Sequence, residues 1–296
     1  MATSNIVKER IKNLKEDYDR LRLGKDSLLQ IIDEAELSES VYNSNAIENS
    51  TLTLKETEKI LLEMELSKDL NLREVFEAKN LAKVIQYIKA KSQREELTKE
   101  TILLLHQMLI ANIDDSIAGR IRKKNEYVRV GTHIAPSPEH VERMMEEILI
   151  EYSSNHNLYF VDKIAKFHLD FETIHPFNDG NGRIGRITIN YQFMRLGFPG
   201  IIIRDKEKKY YYKGFEEYRE NKNTNTMERT LTLALTESLH KRIAYLKGST
   251  IVALSEYSKK QNKSLATLLN AARRQTIPAF REKNVWKIEK SFVLTS

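Results

Sequence analysis

The segment from 161 to 197 limits the fold more than any other. Ile164, Phe167, Phe171 and Ile174 are spaced 3, 4 and 3 residues apart, and Ile184, Ile187, Tyr191 and Met194 repeat that spacing. Each set falls on one face of an α-helix. Between them lies His175-Pro176-Phe177-Asn178-Asp179-Gly180-Asn181-Gly182. This stretch cannot be helical throughout, because a proline lacks a backbone donor and glycine disfavours helix. Gly197 and Pro199 stop the second helix. The chain must therefore bury the apolar faces of two helices joined by a polar, glycine-bearing loop.

The rest of the chain agrees with a mostly α fold. Its 296 residues include only 10 Gly and 5 Pro, so turns are few and helices long. Helical spacing predicts helices over 5–35 with a break at Gly24, Leu37–Ile47, Leu54–Leu66, Arg73–Ala90 and Leu97–Leu109, with Thr98 as an N-cap. Glu139–Tyr152 follows, and Phe215–Tyr245 reads as two helices. One β signal stands out. Val128 and Val130 lead into Gly131-Thr132, and His133-Ile134 follows, which predicts a tight hairpin with a type II′ turn.

Hydrophobic residues make up 41% and charged residues 30%, the balance of a soluble globular protein. The absence of cysteine excludes disulfides, thiolate nucleophiles and cysteine-based zinc sites. No signal-like or membrane-spanning apolar run is visible, so a cytoplasmic protein with no membrane partner is expected. The net charge is +6, and residues 251–296 hold nine Lys/Arg against three Glu, which equals the whole excess. A separate basic module with an acidic partner such as DNA is one reading of this, and a solubilising tail is the other.

The loop and the helix after it carry chemistry. His175 is a candidate general base, and Asp179 is a hard carboxylate suited to Mg²⁺. Gly180 and Gly182 let backbone approach a ligand, and the N-terminus of the following helix favours anions. Arg183 and Arg186, at i and i+3, share a face of that helix. Base, metal ligand, anion nest and two cations within twelve residues describe a phosphate site. No covalent nucleophile is visible, so direct transfer to an external hydroxyl is the simplest chemistry.

The run HPFNDGNGRIGR matches every position of the Fic signature H-P-F-x-[DE]-G-N-[GK]-R with its x-x-R extension. The chain thus resembles the Fic family over roughly residues 30–245. The resemblance implies a helical bundle with a β-hairpin flap, and transfer of AMP from ATP to a Ser, Thr or Tyr hydroxyl of a target protein, the protein itself included. It implies His175 as base, Asp179 holding Mg²⁺, and Gly180, Asn181 and Gly182 cradling phosphates. Arg183 and Arg186 would bind the β- and γ-phosphate sides, and Phe177 would anchor the loop. Val128, Val130, Thr132 and His133 would form the flap that clamps a target segment by strand addition. Tyr211 and Tyr212 resemble the family segment beside the nucleotide base, although Gly214-Phe215 stands where the family has Ala-Leu.

Ser44-Asn45-Ala46-Ile47-Glu48-Asn49 resembles the family's inhibitory motif [ST]-x-x-x-E-[GN], placed N-terminal to the core as in members with a built-in inhibitory helix. Ser44, Glu48 and Asn49 would then form a brake in which Glu48 pairs with Arg186 and displaces the γ-phosphate. His168, seven residues before His175, is read as a packing residue, and His106, His140, His156 and His240 carry no signal. The segment 251–296 predicts two short helices and a hairpin, and resembles a winged helix-turn-helix of the excisionase group. That resemblance makes Arg273, Arg274, Arg281 and Lys287 DNA contacts and places Trp286 in the core. The expected boundaries are a helical region at 1–97 with the inhibitory motif, a catalytic core at 98–247 and a winged module at 251–296. Homodimerisation fits the resemblance. The rival readings are transfer of another nucleotide or phosphoryl group, and a DNA-binding regulator whose Fic domain only senses nucleotide.

Overall fold

The computed structural model describes residues 3–63 and 71–294. Along the chain run α1 (Asn5–Leu21), α2 (Asp26–Ile47), α3 (Leu54–Glu58), α4 (Leu72–Lys91), α5 (Lys99–Ile110), β1 (Arg129–Val130), β2 (His133–Ile134) and α6 (Pro138–Ser154). Then come α7 (Phe160–Ile174), α8 (Asn181–Arg195), α9 (Lys208–Asn221), α10 (Asn225–Leu246), β3 (Ile251–Ala253), α11 (Leu254–Lys260), α12 (Leu265–Arg273), β4 (Phe280–Glu282) and β5 (Val285–Glu289). The fold is mostly helical with two small antiparallel sheets. Among the described residues no helix is long and apolar enough to cross a membrane.

The chain packs as two compact units, neither contiguous in sequence. One is Met1–Thr3 with Leu37–Thr230, and the other is Ser4–Glu36 with Leu231–Ser296.

In the first unit, α7 packs against α6, α8 and α9, and α4 packs against α5 and α8. The predicted apolar faces meet there: Phe167, Phe171, Ile174, Ile184, Ile187 and Tyr191 are buried in one cluster with Phe177 from the loop between them. Local signals set the helix starts. Thr98 accepts from the Thr101 amide, and Thr53 and Glu56 form a reciprocal capping box at α3. α3 then widens into a π-turn over Lys59–Glu63, and the rest of the expected 54–66 helix lies outside the described residues. The buried Asn80 side chain donates to the Leu109 and Ala111 carbonyls (3.0 and 2.7 Å), satisfying the orphan end of α5. The break expected between 35 and 37 is absent, because 26–47 contains neither Gly nor Pro and α2 continues through it.

In the second unit the sheet order is β3-β5-β4, antiparallel throughout. The β4–β5 turn holds Lys283 and Asn284 at φ 48° and 66°, the positive values a type I′ turn requires. Val252, Leu254, Tyr257, Leu268, Ala272, Ile277, Ala279 and Ile288 form the small core. Trp286 only borders it, and the Arg281 guanidinium lies 4.6 Å from its ring centre. Arg10 on α1 donates to the Gln275 carbonyl at 3.2 Å, and Arg242 pairs with Asp33 and Glu36.

Candidate active site

α7 ends at His175, whose backbone takes the left-handed conformation (φ 51°) while its N–H still donates to Phe171 O at 2.9 Å. A non-glycine residue there is strained and needs support. Arg122 supplies it. Its buried guanidinium donates to the carbonyls of His175 (2.8 Å), Ile174 (3.2 Å), Glu126 (2.9 Å) and Pro136 (2.9 Å). One side chain thereby ties the end of α7 to both bases of the hairpin.

The loop is closed from within. Asn181 accepts from the Phe177 amide (2.9 Å) and donates to the Phe177 carbonyl (2.8 Å). Its side-chain amide is thus occupied in the loop, at the start of α8 where the first-turn N–H groups have no partner within the helix. The Phe177 ring stacks on His106, centroids 3.8 Å apart and planes 4° apart. His106 Nδ1 accepts from the Gly119 amide (3.0 Å), so its Nε2 proton donates to the Asp179 carbonyl (3.1 Å). Burial lowers the His106 pKa to about 4, which keeps that neutral form. His106, silent in the sequence, is therefore a prop of the loop. Gly180 caps α8 at φ 81°, and a Cβ there would press on Ile110 and Leu109 at 3.2 Å.

The His175 ring borders a cavity of about 450 Å³ shared with Gly180, Gly182, Arg183, Asp179 and Glu48. Burial lowers its pKa to about 4, opposed by a hydrogen bond to the Glu172 backbone carbonyl. Nδ1 lies on the Glu172 side, 3.9 Å from that carboxyl group. Nε2 is then the basic nitrogen of a neutral ring.

Around the cavity wall, charges alternate. Arg183 pairs with Asp179 Oδ1 (3.0 Å) and with Glu77 (3.1 Å), while Arg73 pairs with Asp179 Oδ2 and with Glu77 (3.2 Å). Arg73 and Glu77 sit at i and i+4 on α4, and nothing in sequence placed them beside residue 179. Among the described residues no group of three His, Asp or Glu side chains is arranged to hold a metal ion. A single carboxylate on a cavity of that size nevertheless fits Mg²⁺, which binds through one or two carboxylates together with substrate phosphates and water.

The second cation is engaged differently. Arg186 is buried, and its guanidinium meets Glu48 Oε1 (2.9 Å), Ser44 Oγ (2.9 Å) and the Ser44 carbonyl (2.7 Å). Burial opposes its charge, but Glu48 together with Tyr211 and Glu172 outweighs that and holds the guanidinium charged. Gly182 makes room: a Cβ there would lie 2.2 Å from Glu48 Oε1. Asn49 explains the aim. It sits at φ 67°, with Asn49 N–H donating to Ala46 O (3.0 Å) and Ser50 N–H to Asn45 O (3.1 Å). This is a Schellman ending, which turns the chain sharply and leaves Glu48 at the C-cap, one residue past the end of α2. The end of α2 is held further by Tyr212, whose hydroxyl donates to Ile47 O (2.8 Å), and by Asn43, which accepts from the Asp205 amide (3.0 Å).

Tyr211 is buried, bonded to His168 Nε2 (2.6 Å) and beside the Arg186 guanidinium, and is not among the residues lining the cavity. Tyr212 bonds α2 and does not border the cavity either. Below them lies Glu172, whose pKa burial raises to about 8. Its Oε1 has no hydrogen-bond partner and occupies the space a Cβ on Gly185 would need.

The hairpin pairs Val130 with His133 and Arg129 with Ile134. Val130 and Thr132 are exposed, and Val130 borders the cavity. The Val128 carbonyl accepts from Ala135 (3.1 Å), and His133 Nε2 bonds the Thr173 carbonyl (2.9 Å), fixing the flap to α7. In the second unit, Arg273 and Arg274 are exposed at the end of α12. Arg281 instead pairs with Glu237 (2.6 Å), and Lys287 with Glu282 (2.5 Å), so these two expected DNA contacts face into the protein's own ion pairs.

These features define a helix–loop–helix site with a neutral imidazole beside it and a carboxylate lodged on one of its two arginines. Residues 96–193 match the Fic/DOC family. A Drosophila erecta protein called Protein adenylyltransferase Fic is 30% identical over 216 residues, covering 71% of this chain and 43% of that protein. Its Drosophila persimilis counterpart is 33% identical over 175 residues, 58% of this chain and 34% of that one. The chain thus spans less than half the length of these curated relatives. A Fic domain containing signaling protein from Bacteroides thetaiotaomicron has a similar structure, with a TM-score of 0.74, 27% identity, and coverage of 81% of this chain and 97% of that one. This is a Fic-domain protein, its segment 96–193 belonging to the Fic/DOC family.

Proposed function

We propose that the protein is a Mg²⁺-dependent adenylyltransferase, moving AMP from ATP to a Ser, Thr or Tyr hydroxyl of a target protein, and that Glu48 restrains it. The observation that carries this reading is the Glu48–Arg186 pair (2.9 Å) packed over Gly182, with Glu48 and Gly182 both lining the cavity that His175 borders.

In this reading the first-turn amides of α8 bind phosphate oxygens, and Arg183 and Arg186 neutralise the outer phosphates. His175 Nε2 takes the proton of the acceptor hydroxyl as its oxygen bonds the α-phosphorus. The bond from that phosphorus to the bridging oxygen breaks, and pyrophosphate leaves. Mg²⁺ on Asp179 would supply charge neutralisation at the phosphates. The exposed Val130–Thr132 edge of the flap presents unpaired backbone to an extended target segment, the protein's own included. While Glu48 holds Arg186, the γ-phosphate lacks that cation.

Labelling with ATP tagged at the α-phosphate tests this. The parent should label weakly and Glu48→Gly strongly, and adding His175→Ala should reduce labelling roughly 10²–10⁴-fold. Equal labelling of parent and Glu48→Gly would remove the brake. No labelling of Glu48→Gly with Mg²⁺ present would remove the transfer itself.

A second reading concerns the other unit alone. The exposed Arg273 and Arg274 on α12, in a segment that carries the whole basic excess, favour DNA as its partner. The measurement is duplex binding against salt.

A further inference from the structure

The ring of Arg73, Asp179, Arg183 and Glu77 contains two cations and two anions, and its members are unequal. Arg183 is 5% exposed and Glu77 13%, whereas Asp179 is 33% and Arg73 56% exposed. The inner pair is enclosed and the outer pair is open to solvent. Arg73 is also held in two parts. Its backbone amide donates to the N-cap side chain of Asn71 (2.9 Å), and its Nε donates to Glu77 (3.2 Å). Only its terminal nitrogen reaches Asp179. The stem is therefore anchored while the tip of the fork is aimed across the cavity wall.

A divalent cation that takes Asp179 competes with Arg73 for that carboxylate. The released guanidinium then stands on a cavity wall, beside whatever anion entered with the metal. A guanidinium matches phosphate oxygens as well as carboxylate. Both arginines keep Glu77 after the exchange, Arg183 inside the ring and Arg73 through Nε, so the group set free is the solvent-open terminal nitrogen of Arg73.

We propose that Arg73 is a further phosphate ligand, parked on Asp179 in the nucleotide-free protein and transferred to the phosphate chain when a divalent cation occupies that carboxylate. This rests on the reading of the cavity as a Mg·ATP site. It assigns a binding residue on α4, outside the segment 96–193 that matches the family.

Calorimetric binding to the Glu48→Gly protein tests it without any turnover. Arg73→Gln should weaken Mg·ATP by about tenfold to a hundredfold, the scale of one charge-assisted hydrogen-bonded contact. Adenosine affinity should not change, and Arg73→Lys should recover part of the loss. With EDTA and no metal, Asp179→Asn should bind ATP more tightly than its parent, because Arg73 is freed. Adding Arg73→Gln should remove most of that gain. Arg73 is more than half exposed, so these variants should fold, and unchanged melting would confirm it. Unchanged Mg·ATP affinity in Arg73→Gln, or a gain from Asp179→Asn that survives loss of Arg73, would overturn the inference and leave the nucleotide site standing. If the Glu48→Gly protein bound no Mg·ATP at all, both would fall together.

Discussion

Burial brings the His175 pKa to about 4, well under the ordinary 6.5 of the residue. The sign follows directly: the neutral ring is the base, and it is lost only as pH falls through the lowered value. From pH 6 to 8 the ring stays neutral, so pH changes in that window should not remove the base. A proton NMR titration of the Glu48→Gly protein, with the ring assigned by comparison with His175→Ala, should show its C–H signals moving near pH 4. Movement near 6.5 would mean that the site is wetter than the structure has it. At this scale the sequence was readable where a residue's function is its own chemistry. His175, Asp179, Arg183, Arg186 and Glu48 lie in runs whose residue types already describe a phosphate site. Arg122 and His106 were not readable, because their partners are backbone carbonyls and amides that any sequence supplies. The surroundings of Tyr211 were not readable for a related reason. A tyrosine beside a nucleotide and one bonded to a buried histidine share the same helical spacing, and only packing against His168 separates them.

Helices and their ends were legible through apolar spacing and caps, and the proposed brake would make one such ending functional. Glu48 reaches Arg186 because α2 stops one residue earlier and Asn49 turns left-handed. That conformation costs an ordinary L-residue about 1–2 kcal/mol, less for Asn, and nothing sterically for Gly. Asn49→Gly should therefore keep the brake, with labelling as low as in the parent. Asn49→Val, β-branched at a positive φ, should weaken it by about five- to thirtyfold and raise labelling with Glu48 still present. If the Asn49→Val protein stayed as quiet as the parent, the turn could not be what aims the carboxylate. The pairing of α4 with the loop was not legible. Arg73 and Glu77 look like an ordinary solvated i, i+4 pair, and only the packing of α4 against α8 brings them to Asp179.

Linear reading could not show that residues 4–36 pack with 231–296, since such partnership depends on long-range contacts with no local signature. The charge asymmetry survives that regrouping. The second unit holds nineteen Lys/Arg against twelve Asp/Glu, an excess of seven, and the rest of the chain holds twenty-nine against thirty. An excess confined to one unit acts as a field for polyanions, provided the cations face solvent. The structure sorts them. Arg281 and Lys287 are committed to Glu237 and Glu282, and Arg242 to Asp33 and Glu36, whereas Arg273 and Arg274 end an exposed stretch of α12. Each phosphate neutralised contributes about 0.9 to the slope of log affinity against log salt. Binding to a duplex of mixed sequence should thus weaken steeply with salt, and replacing Arg273 and Arg274 together by Ala should lower the slope by about two. Arg281→Gln should leave the slope unchanged and lower the melting temperature, because the buried Glu237 then loses the guanidinium that neutralises it. A slope carried by Arg281 and not by the α12 pair would reverse this assignment, and no binding at low salt would end the DNA reading.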